Sequence, residues 1–325
     1  MRQRTWTLGL AFTAIVSLWP LVGRAQTPPV IGYLSSKDEA SESGIVAAMR
    51  KGLADQKLSE GRHFSIAFRW SAGVYDRLPG LAADLVGRKV DVIATSGLPA
   101  TLAAKAATPT IPIVFRLAVD PAAFSLVQSF DRPGGNLTGV TMLFDPLTPK
   151  KLQLLNELIV DKSVGLLVNP NNPNARSHVE HAEAATKSLG LSLSVLDAGS
   201  AEAIDGAFDA ARQRRIGALL IGDDPLFDVQ SRRLIEAAAR HKMPTMYYVR
   251  DFVAAGGLLS YGPSFDEMST HVGIYVGRIL KGERPALLPV QQPTRFELVI
   301  NMKAARALGI TVPPSLLARA DEVIE

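Results

Sequence analysis

Cysteine is absent from the 325 residues. That excludes disulfides, thiolate metal sites, a cysteine nucleophile and a lipid-modified amino terminus. Histidine is scarce, five in all, and none falls at the end of a predicted strand. No G-x-S-x-G, H-E-x-x-H, G-x-x-x-x-G-K-[ST] or G-x-G-x-x-G occurs, so catalysis and phosphate-loop binding have no signature. After the first 25 residues no apolar run reaches membrane-spanning length. Charge is nearly balanced, 35 Lys and Arg against 31 Asp and Glu. The one dense basic run, "RQRR" at 212–215, sits at a predicted helix end, where cations are favoured anyway. A nucleic-acid partner is therefore not expected.

What is present begins with "MRQRTWTLGLAFTAIVSLWPLVGRAQ". Arg2 and Arg4 give a charged start, Thr5 to Val22 are mostly apolar, and Gly23 and Ala25 are small. This order predicts a signal peptide over residues 1–25, cut after about Ala25, and a periplasmic protein. Loss of Arg2, Arg4 and Arg24 would leave the mature chain near +1.

From residue 30, apolar runs alternate with helix-like segments, the pattern of an α/β fold with mainly parallel sheets. "VIGYLSS", "HFSIAFRW", "VDVIATSG", "PIVFRLAVDP" and "LTGVTML" read as strands. Helices are expected between them at about 43–57, 77–88, 99–107 and 122–130. A second series, "SVGLLVNPNNP", "SLSVLDAG", "IGALLIGDDP", "PTMYYVRDF" and "GLLSYG", repeats the order roughly 130 residues on, with helices at about 174–189, 203–214 and 231–241. A helix at 266–280, a strand at 296–300 and "MKAARALG" follow. This predicts two Rossmann-like lobes, 28–143 plus 259–285 and 144–258 plus 286–325. Three crossings, near 144, 255 and 287, would form the hinge.

Parallel sheets bind ligands beyond the carboxyl ends of their strands. Those ends read Ser35-Ser36, Ser96-Gly97-Leu98, Asp120, Asn169 to Asn172, Asp223-Asp224 and Tyr247 to Arg250. Gly97 and Leu98 open a helix, and a helix amino terminus suits a carboxylate. Asp120 and Asp223 could take an ammonium or cap a helix. Asn169 is expected in the cleft, with Asn172 or Asn174 as a cap. Tyr33, Tyr247, Tyr248 and Tyr261 are candidate stacking groups, and Arg250 a candidate carboxylate fork. Asp224 reads chiefly as a cap. His178 and His181, three apart on a helix, read as a solvated face. No metal or other cofactor is expected.

Seven stretches, "YDRLPGLAADLV", "AAKAATPTIPIVF", "DRPGGNLTGVT", "LVNPNNPNA", "ARHKMPTMYYVRDFVAAGGLLSYG", "GRILKGERPALLPVQQPTRFELVIN" and "ARALGITVPPSLLARADEVIE", stand in an order that resembles one family. It is the ABC-transporter substrate-binding proteins related to the tryptophan/tyrosine-binding type. The resemblance spans about Val30 to Glu325. It implies a type I periplasmic-binding-protein fold without catalysis. It also implies a small, carboxylate-bearing solute such as an amino acid or aromatic acid, and delivery by a monomer to an inner-membrane ABC permease. Alternatives are a sensory module of the same fold and, less favoured, a hydrolase. A transcriptional regulator would need a helix-turn-helix where the signal peptide stands. Two departures concern the pocket. Leu98 stands where the family more often carries a hydroxyl, and Arg116 is inserted where small apolar residues are usual.

Overall fold

The computed structural model describes residues 28–325, so the expected signal peptide lies outside the described residues. Twelve strands are present there: β1 Val30–Ser35, β2 Ser65–Trp70, β3 Val92–Ser96, β4 Ile113–Leu117, β5 Leu137–Thr141, β6 Ser163–Val168, β7 Ser192–Asp197, β8 Ala218–Ile221, β9 Thr245–Tyr247, β10 Leu259–Pro263, β11 Phe296–Asn301 and β12 Glu322–Ile324. The helices are α1 Glu39–Asp55, α2 Leu78–Gly87, α3 Leu98–Ala107, α4 Thr148–Asn156, α5 Ala175–Leu189, α6 Ala201–Gln213, α7 Pro225–Val229, α8 Ser231–Arg240, α9 Arg250–Ala254, α10 Phe265–Leu280, α11 Met302–Leu308 and α12 Pro314–Leu317.

Two sheets carry the fold. The first runs β2-β1-β3-β4-β5, all parallel. The second runs β12-β11-β10-β9-β8-β6-β7, with only β10 and β11 antiparallel. Buried runs such as Ile31–Ser35 and Val92–Ser96 carry side chains into both faces, as a covered parallel sheet requires. α2 and α3 cover one face of the first sheet, α1 and α10 the other. α1 and α10 meet backbone to backbone. A Cβ on Gly52 would land on the Thr270 carbonyl, and one on Gly273 on the Met49 carbonyl. The two-lobed α/β architecture is thus as expected.

The lobe boundaries need correction at two places. Residues 259–263 pair with β9 and β11 in the second sheet, so that crossing falls after Pro263, not near 255. The returning chain lies along β5 before leaving: Thr138 Oγ1 donates to Leu288 O at 2.6 Å and Gln291 bridges Val140. Residues 286–291 therefore belong with the first lobe. The helix expected at 122–130 is a series of turns, with Ser125 at φ 53° and Asp120 Oδ1 accepting from Ala122 N–H. α1 begins earlier than expected because Asp38 caps it, accepting from Ser41 N–H at 2.9 Å.

Candidate functional site

The strand ends of the two sheets face each other, and the lobes touch. Lys37 Nζ, just after β1, lies 2.7 Å from Asp228 Oδ2 on α7. Tyr75 OH donates to the Asp224 carboxylate at 2.8 and 2.9 Å. Between them is a cavity of about 40 Å³, bordered by Leu98, Arg116, Phe144, Asn172, Asp223 and Phe265 among others. That is room for a few waters, so a larger ligand needs the lobes further apart. Lys37, Asp228 and Phe265 also border a second cavity of about 360 Å³.

On the first lobe the turn between β3 and α3 is fixed by Gly97 at φ 93°, a conformation that favours glycine. At the helix start, Ala100 N–H is taken by Ser36 Oγ at 3.1 Å and Pro99 has no N–H. Among the described residues nothing accepts from Leu98 N–H, so this donor is left for the cleft. Beside it Arg116, buried on β4, donates from Nη2 to Ser96 Oγ at 2.8 Å and lies over the Phe265 ring. Its Nε is buried without a partner.

Glu42, fully buried on α1, balances these cations. It accepts from Ser96 Oγ at 2.8 Å and from Tyr33 OH, and lies 3.4 Å from Lys37 and 3.3 Å from Arg116. Burial alone would push its carboxyl up; Lys37 and Arg116, together with the hydrogen bonds from Tyr33 and Ser96, hold it below the ordinary range.

On the second lobe Asp224 caps α7 through Leu226 N–H at 2.7 Å and accepts from Asn169 at 3.1 Å and Asn172 at 2.7 Å. It is fully engaged. Asp223 is not. Its carboxylate borders the cavity, backed by His178 Nε2 at 3.2 Å. Burial pushes the Asp223 carboxyl up to about 6, against the pull of His178.

Of the expected residues, Gly97, Leu98, Asn172 and Asp223 border the cavity. Ser35, Ser36 and Ser96 lie beneath it: Ser35 Oγ accepts from Lys37 N–H at 3.0 Å, and the other two make the bonds above. Asn169 sits behind Asp224. Four do not face the site. Asp120 is exposed and caps its own turn. Tyr247 is buried against Phe252 and does not line the cavity; its neighbour Tyr248 does. Arg250 pairs with Glu322 at 2.6 Å, and Tyr261 packs on Phe296. His178 is buried, not a solvated face. Lys37, Glu42, Tyr75, Asp228 and Phe265 gave no sequence signal that singled them out; Arg116 was visible only as a departure.

Two lobes closing on a polar pocket define a ligand-binding protein of the hinged α/β class. Residues 36–324 match the family described as ABC transporter substrate binding protein. The chain belongs to that family. A curated relative, the tyrosine-binding protein of Clostridioides difficile strain R20291, is 24% identical over 262 residues, covering 80% of this chain and 75% of its own. A conserved domain protein from Vibrio cholerae superposes with a TM-score of 0.85 at 27% identity, over 91% of this chain and all of that one. An ABC domain from Streptococcus pneumonia in complex with L-Trp gives 0.82 at 25% identity, over 92% and 100%. No helix of the described residues is long and apolar enough to cross a membrane.

Proposed function

We propose that this protein captures an amino acid between its lobes outside the inner membrane and, as a monomer, presents it to an ABC permease. No bond is made or broken. The observation that carries the reading is the separation of charge across the cleft. Arg116 and the Leu98 N–H stand on the first lobe and suit a carboxylate. Asp223 stands opposite on the second and suits an ammonium. Phe144, Tyr248 and Phe265 give the cavity aromatic walls, which favours an aromatic side chain, in keeping with the relatives named for tyrosine and bound to L-Trp. Binding works by favouring the closed arrangement of lobes, which the permease reads.

Thermal shift against the twenty amino acids, followed by calorimetry, tests this. A true ligand at 100 times its Kd adds about 2.7 kcal/mol of stability. Aromatic amino acids are expected to stabilise, and their carboxamide and des-amino analogues to do so far less. Equal stabilisation by an amino acid and its carboxamide would sink the carboxylate assignment.

A further inference from the structure

In that reading Asp223 faces the ligand's ammonium, and the group behind it decides whether it does so as an anion. His178 of α5 is that group, wedged between two carboxylates. Its Nδ1 lies 2.7 Å from Asp145 Oδ1 and its Nε2 lies 3.2 Å from Asp223 Oδ1. Each ring nitrogen thus has its own acid. A positively charged ring answers both acids at once, one at each nitrogen.

The two acids belong to different parts of the machine. Asp145 opens the turn Asp145–Leu147, where the chain has just left the first lobe, and Ser177 Oγ donates to its Oδ2 at 2.5 Å. Asp223 ends β8 at the cavity. The side-chain amide of Asn174, one helical turn before His178, lies 3.0 Å from the same Nε2 and also borders the cavity; turned so that its otherwise unpartnered oxygen faces the ring, it accepts from a protonated Nε2. We propose that His178 is a positioning residue that keeps the ammonium-binding carboxylate of Asp223 ionised and ties it to the crossing segment at Asp145. Only the role given to Asp223 rests on the proposed function; the state of the ring does not.

The charged groups around the ring are Asp145 from the crossing, Lys151 from α4, His181 from α5, and Asp223 and Asp224 after β8. Burial alone would strip the ring of its proton; Asp223 and Asp145 outweigh burial and Lys151, and hold it up to about 9. Burial pushes Asp223 up to about 6, and the imidazolium is the first influence opposing that. Below about pH 6 Asp223 takes a proton and an ammonium loses its partner. Without the imidazolium that midpoint must rise.

The test is the pH dependence of affinity in His178→Gln, which keeps an amide donor in place of the ring. Calorimetry from pH 4.5 to 8 with L-Trp and L-Tyr is expected to show the acid midpoint moving up by about one pH unit. A uniform loss of affinity with an unmoved midpoint is what a merely structural residue would give, and it overturns the proposal. A second measurement needs neither a folded variant nor a bound ligand. In the unaltered protein labelled with ¹⁵N-histidine, the His178 ring is expected to carry both protons at pH 7.5. A ring neutral at that pH overturns the proposal. A doubly protonated ring in a protein that binds no amino acid would support the bridge and overturn the proposed function instead.

Discussion

Replacing Arg116 with methionine removes the cation but keeps an unbranched chain that can still lie against Phe265. The Nε–H that has no protein partner goes with it, as does the bond to Ser96 at 2.8 Å. A hydrogen bond to a charged group is worth about 1.5–3 kcal/mol, which is roughly tenfold to over a hundredfold in Kd. The folding cost stays bounded. Orphaning a buried charge costs about 3–5 kcal/mol, but Glu42 keeps Lys37 at 3.4 Å, Ser96 at 2.8 Å and Tyr33. The variant should therefore fold, with a lower melting temperature. The decisive readout is the affinity ratio between an amino acid and its carboxamide, measured by calorimetry. The parent should prefer the acid strongly; Arg116→Met should lose most of that preference, and Arg116→Lys should keep part of it. An Arg116→Met protein that is folded and retains both affinity and acid preference would refute the role given to the guanidinium.

Leu98→Pro removes the last open N–H at the start of α3 and should weaken binding at least tenfold in calorimetry; a folded variant that binds as tightly as the parent would make this terminus an ordinary turn. Lys37→Met breaks the 2.7 Å interlobe pair with Asp228, so small-angle scattering of the protein without ligand should show a larger radius of gyration; an unchanged radius would mean the pair does not hold the lobes together. Gly273→Ala puts a Cβ onto the Met49 carbonyl and should cost several kcal/mol in urea unfolding, of the order of severe overpacking; a loss under about 0.5 kcal/mol would show that α1 and α10 can separate freely.

The lobes were legible because strand and helix periods survive in single segments. "VDVIATSG" carries its apolar run and its turn within eight residues. The site was legible only in part, because strand ends alternate in direction. β9 ends at Tyr247, and Tyr247 and Tyr248 are indistinguishable by type, yet only Tyr248 borders the cavity. His178 did have a signal. It shares a stripe with Ala182 and Ala185, four and seven residues on, all buried. That spacing marks the inward side of α5, and exposed His181 lies off it. Lys37, Glu42 and Asp228 carry no such mark. They come from separate elements, and only the approach of β1, α1 and α7 turns three ordinary surface-type residues into one buried network.

The two departures at the pocket are one physical change. β3 and β4 pair Ser96 with Arg116, and Gly97 N–H donates to Arg116 O at 3.1 Å. The Arg116 backbone is therefore bonded to the turn that precedes Leu98. Leu98 has no hydroxyl to offer; its side chain instead packs with Leu34, Leu78 and Leu117 in the first lobe's core. A guanidinium rooted next door reaches the same corner of the cleft and brings a full charge. Such a charge is costly to bury unless it is paired, which is why Glu42 must lie beneath it, fully buried and held anionic. With Lys37 also present, the first-lobe cluster holds two cations against one anion. Asp228 offsets part of that surplus only while the lobes are closed. Closure and the proposed carboxylate capture thus draw on the same first-lobe positive charge.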